Sequence, residues 1–179
     1  HMMSRKTGGS FAALQTDIAA GRIKERCVEC HGPGKDKAVR RVHEIGSGSD
    51  IQGPSILGKP PRAAQAGERK LILGFNDIVR PFTTIYAGST IGNSVQTGQG
   101  ASIREDNIIG DNASIGTNAV LEFGNRIGNR VRIHSLCFLE MVTIEDDVFV
   151  GPHVVFTDDP HPMACPRYLD CRGGVTVKR

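Results

Sequence analysis

The chain holds 179 residues, of which 39% are hydrophobic and 5% aromatic, with no tryptophan and a formal net charge of +3. That length fits one domain with appendages, and so small a charge points to no nucleic-acid partner. No apolar stretch is long enough for a membrane-spanning helix, which needs roughly 18 residues or more.

The N-terminus shows no apolar run of a signal peptide, and His1-Met2 reads as a cloning remnant. The five cysteines are odd in number and scattered, which argues against a disulfide framework. A reducing cytoplasm is the expected location.

Residues 1–42 read as an extension. Phe11, Leu14 and Ile18 fall at helical spacing behind Ser10, a fitting N-cap. Arg22, Lys24 and Arg26 follow, where cations suit the C-terminal end of a helix dipole. A short helix over 11–25 is expected. Cys27-Val28-Glu29-Cys30-His31 then spells C-x-x-C-H. Three readings stay open: a chance triplet on a loop, a zinc site short of one ligand, or a haem-attachment signature. The basic run 35–41 reads as a solvated loop.

Residues 43–179 read as the main domain. Ile45, Ile51 and Leu57 sit six apart and give a first coil. Pro60-Pro61 ends it, and residues 61–71 break the period as an inserted loop. From Leu73 an aliphatic residue recurs at every sixth position through Val79, Ile85, Ile91 and Ile103 to Leu139, with Thr97 as the exception. One residue is then dropped, and the count resumes at Ile144, Val150 and Phe156. The residue two before each aliphatic is small, polar or β-branched, as at Ala101, Asn107, Ala113, Asn125 and Cys137.

A period of six fits no helix face and is shorter than the repeat of a hairpin meander. It is the pattern of an all-β, parallel β-helix, in which each short strand stacks on the one a full coil earlier. The aliphatic positions fill the prism. The glycines that follow them (Gly74, Gly92, Gly110, Gly116, Gly128) are expected to turn its corners with positive φ, alongside Asn and Asp. After Phe156 the period is lost, and residues 157–173 form a proline-rich, charged excursion of the kind that carries function in a solenoid.

The hexads, the run Ile144-Glu145-Asp146-Asp147-Val148-Phe149-Val150-Gly151-Pro152 and the following Thr157-Asp158-Asp159-Pro160-His161-Pro162 resemble the left-handed β-helix acyltransferases. Within them the likeness is nearest to the N-acetyltransferases of nucleotide-linked amino sugars. It covers about 43–179. The resemblance implies a left-handed coil and a homotrimer. It also implies acetyl-coenzyme A, as acyl donor, in the groove between two prisms, and a sugar acceptor held by the excursion. No metal is expected. Acetyl transfer to the amine of a nucleotide-linked amino sugar is the expected reaction, with O-transfer left open.

Acyl transfer needs a base for the attacking group and donors for the oxyanion. His161 is similar to the His-Pro general base of the sugar O-acetyltransferases and is the first candidate. His134 follows an inward Ile133 and is the second. Asp158 and Asp159 are expected to hold an acceptor amine or hydroxyl. Glu140, where the period slips, is a substrate-binding candidate if the slip re-aims it into the cleft, and otherwise reads as a surface carboxylate. Gln99 offers orientation at most, and Cys137 is expected in the core. His134 and His153 on neighbouring rungs also raise a zinc reading like that of the hexapeptide carbonic anhydrases, but the tight His pair of that family is missing. Family members commonly run on for several more coils. A non-catalytic solenoid that keeps only the shape is therefore the competing expectation.

Overall fold

The structure, a computed structural model, describes residues 43–159 and 173–179. The expected helix over 11–25, the Cys27/Cys30/His31 motif, the basic run and His161 all lie outside the described residues.

Every described element is a short parallel strand, and the strands sort onto three sheets that form the faces of a prism. The first face carries His43–Ile45, Leu71–Leu73, Thr90–Ile91, Ile108–Ile109, Arg126–Ile127, Thr143–Ile144 and Thr176–Val177. The second carries Asp50–Ile51, Ile78–Val79, Gln96–Thr97, Ser114–Ile115, Arg132–Ile133 and Phe149–Val150. The third carries Ile56–Lys59, Thr84–Tyr86, Ser102–Ile103, Val120–Leu121, Phe138–Leu139 and Val155–Phe156. The chain visits the faces in strict rotation. Each strand pairs with the equivalent one a coil away, so Ile115 lies against Ile133 and Leu121 against Leu139. This is the parallel β-helix that the hexads predict.

The aliphatic residue of each hexad points inward. Ile103, Ile109, Ile115, Leu121, Ile133 and Leu139 are all buried, as are the small residues two positions earlier. Cys137 packs in that core as expected, its thiol against the Gly151 carbonyl. Thr97, the one polar residue at an aliphatic position, is buried and satisfied. Its hydroxyl accepts the Arg80 N–H at 3.0 Å and pairs with Thr83 Oγ1 at 3.0 Å.

The corners correct one expectation. Left-handed backbone falls three residues after most of the aliphatics, at Asn76, Phe82, Ser94, Asp106, Asn112, Asn118, Arg130, Leu136, Asp147 and His153. The glycines directly after the aliphatics are not there for φ. They are there for closeness: a Cβ on Gly74 would lie 2.4 Å from the Gly92 carbonyl oxygen, and one on Gly116 would lie 2.3 Å from the His134 backbone. Coils stacked at the usual strand spacing of about 4.8 Å leave no room for a methyl group at that point.

Two side-chain ladders tie successive coils. At the corner between the first and second faces, Asn93 N–H donates to Asp111 Oδ1, Asp111 N–H to Asn129 Oδ1, and Asn129 N–H to Asp146 Oδ1. Between the third and first faces the ladder is internal. Asn125 N–H donates to Asn107 Oδ1, and Val142 N–H to Asn125 Oδ1. Each buried amide satisfies backbone that a corner leaves unpaired. The dropped residue falls at this corner. Arg126↔Thr143 and Ile127↔Ile144 keep their pairing, and Met141 takes the left-handed turn. The insertion expected over 61–71 ends at Lys70, since Leu71 already lies in a first-face strand, and it is pinned along the same edge by the Arg69–Asp106 and Lys70–Glu44 ion pairs.

Candidate functional site

A groove of about 380 Å³ runs along the second face to its edge with the third. One column of residues builds its floor. The position after the second-face aliphatic is Arg80, Gly98, Gly116 and then His134 in successive coils. Gly98 and Gly116 are demanded by the next coil, since a Cβ on Gly98 would stand 2.2 Å from the Thr117 nitrogen. The steric rule that stacks the coils therefore also leaves a trough, with side chains at its two ends. Arg80 and His134 are three coils apart, about 14 Å at the strand spacing.

The outward positions of the same strands line one flank: Gln96, Ser114, Arg132 and Phe149. They recur with the coil, as the pairings Ser114↔Gln96, Ser114↔Arg132 and Arg132↔Phe149 show. The lining holds two guanidinium groups and no carboxylate, so it favours an anionic ligand. Arg80 is fixed by donating from Nη1 to the Thr97 carbonyl at 2.8 Å. His134 is exposed. Its imidazole meets the Phe149 ring edge-on, with centroids 5.9 Å apart and planes at 65°. An imidazole at the open end of the groove is a group that can carry out proton transfer.

The other candidates fall elsewhere. His153 sits at the left-handed corner above Leu136, one coil on, and its N–H donates to the Ser135 carbonyl. It is not part of the lining. Gln99 likewise lies outside it, while Gln96 is within. Glu140 follows the Phe138–Leu139 strand and is half-buried at the edge between the third and first faces. Asp158 and Asp159 are half-buried at the same edge one coil later. The Asp158 carbonyl accepts the Gly173 N–H at 2.8 Å and so closes the neck of the excursion. The structure thus groups Glu140 with Asp158 and Asp159, and puts His134 at the opposite edge of the third face. Among the described residues, no three His, Cys, Asp or Glu side chains gather as metal ligands.

A search of solved structures finds LpxA, a UDP-N-acetylglucosamine acyltransferase from Bacteroides fragilis, with a TM-score of 0.53 and 19% identity over 66% of this chain. The chain has the fold of that acyltransferase. The β-helix spans about half of that protein's length, 54%. Superposition preserves hand, so the likeness agrees with the left-handed winding that the resemblance implies. No family model and no curated protein matches the chain.

Sequence reasoning reached His134 but missed Arg80, Arg132 and Phe149. The signal was present at a longer stride. Gln96, Ser114 and Arg132 are 18 residues apart, one full coil, and Phe149 is 17 on because of the slip. Hexads reveal what faces inward. The coil period reveals what shares a face outside.

Proposed function

We propose that the chain is an acyltransferase that uses acetyl-coenzyme A and acylates the amine, or a hydroxyl, of a nucleotide-linked sugar. The observation that carries this reading is the groove itself: an exposed histidine at one end of a cation-lined trough, on the fold of an acyltransferase. In the reaction, the acceptor nitrogen or oxygen attacks the thioester carbonyl. His134 takes the proton the attacking atom loses. The new N–C or O–C bond forms, the C–S bond breaks, and the proton passes to the departing thiolate. Arg132 and the Ser135 hydroxyl are donors in the lining that suit the oxyanion. Arg80 and Arg132 suit the phosphates of the donor or the acceptor.

The working form in this proposal is a homotrimer. Six residues, up to about 20 Å of extended chain, separate His134 from the edge that bears Glu140 and the neck of the excursion. A second copy packed against the third face would bring its own excursion, with Asp158, Asp159 and His161, toward His134. His161 then acts as an acceptor ligand or as a further base, which takes one proton from the ammonium that the aspartates hold so that the neutral amine can attack. Among the described residues, no helix is long and apolar enough to cross a membrane.

The test is calorimetry with acetyl-coenzyme A followed by a thiol-release assay with UDP-amino-sugar acceptors. Binding and turnover are expected. His134→Ala is expected to lower kcat by about 10²- to 10⁴-fold, the usual worth of a general base, while donor binding persists. No heat at millimolar donor would remove the reading.

A further inference from the structure

The outward column of the second face is polar in three successive coils, at Gln96, Ser114 and Arg132, and then turns aromatic at Phe149. Phe149 does no core work. Its ring is 64% exposed, while its strand neighbours Val148 and Val150 fill the prism. A ring left in water at a position that the three preceding coils give to polar groups needs another reason. The contact that Phe149 does make is specific. It meets the His134 imidazole across one coil, edge to face, inside the window of about 4.5–7 Å that aromatic pairs prefer.

The placement depends on the dropped residue. The coil is one residue short at the Glu140–Val142 corner, so Phe149, and not its neighbour, lies directly against Arg132 and next to His134. An imidazole on an exposed corner turns freely about its χ2 bond. A base must keep one nitrogen within hydrogen-bond reach of the proton it takes. An aromatic edge against the ring restricts that rotation and shields one side from water.

We propose that Phe149 is the positioning residue for His134: its ring sets the orientation of the imidazole in the groove. The role in transfer rests on the acyltransferase reading above, whereas the ring contact does not. Because Phe149 is exposed, its variants fold, which a thermal melt checks.

The experiment compares Phe149→Ala, Phe149→Leu and Phe149→Tyr in the full chain. The His134 ring-proton resonances are expected to shift in the Ala and Leu variants and to hold in Tyr. With acetyl-coenzyme A and an amino-sugar acceptor, kcat is expected to fall about tenfold in Ala and Leu, as for a misplaced catalytic group. KM for the donor should stay within about twofold in all three, and Tyr should restore kcat. His134 resonances unmoved in Phe149→Ala would overturn the proposal. So would a Leu variant as active as Tyr, since bulk without an aromatic edge would then suffice. A wild-type protein without turnover would remove the acyltransferase reading, and the resonances alone would then decide the ring contact.

Discussion

Asp77 shows what a single side chain contributes in so narrow a prism. It is buried in the second coil, where Oδ1 accepts the Val95 N–H at 2.8 Å and Oδ2 finds no partner. Burial pushes its carboxyl up to about 6, the Val95 N–H opposes the shift, and the Asp111 charge adds to it. The folded-state value lies above the unfolded one, so the stability this group contributes is full below about pH 4 and is lost as pH rises through about 6. Asp77→Asn has no such titration. The variant is therefore expected to gain about 1–3 kcal/mol on wild type between pH 4 and pH 7, at 1.36 kcal/mol per pKa unit. Urea unfolding of both proteins at the two pH values checks this. The exposed aspartates behave oppositely. The Asn129 N–H holds Asp146 below the usual range, and Arg130 does the same for Asp147.

At the scale of the coil, two kinds of position set stability. The first is the glycine below the next coil's backbone. Gly116→Ala must displace the His134 backbone. It is expected to cost about 1–3 kcal/mol, as overpacking does, and to distort the groove that His134 ends. Thermal unfolding and the activity assay read these separately. The second is the buried amide ladder. Asn125 accepts the Val142 N–H and donates to Asn107 Oδ1, Glu122 O and Leu139 O. Asn125→Ala strands all of these at once. A loss of about 2–4 kcal/mol is expected from several buried groups left unpaired, measured as a shift of the urea midpoint. At the same edge, Arg104 bridges Glu105 and Glu122 and lies over the Tyr86 and Phe123 rings. That network braces three coils and is an edge device, distinct from the groove.

At the scale of the molecule, the third face separates the two halves of the proposed site. Its outward residues in the later coils are Val120, Phe138 and Val155, an apolar strip with Leu136 at its edge. A sister subunit seated there would cover that strip and bring an excursion to His134. Sedimentation is expected to give three chains per particle. Phe138→Asp, at the centre of the strip, is expected to yield monomers that retain the β-helix signature by circular dichroism and lose turnover. A monomeric wild type with full activity would refute the assembly.

The sequence by itself determined the winding. A six-residue aliphatic repeat has one way to bury its side chains, so the strand positions, the inward small residues and even the slip at Glu140 were legible before any coordinates. It also singled out His134, because the residue after an inward aliphatic points to a corner. Only the tertiary structure decided which residues share an outer face, because that depends on the coil length, and a repeat of six carries no mark of where one coil ends. Hence Arg80, Arg132 and Phe149 came to light only when the coils were stacked, and Glu140 proved to lie one face away from His134. The corner glycines were misread for the same reason: what they avoid is the backbone of the next coil, a neighbour that is 18 residues distant in the chain.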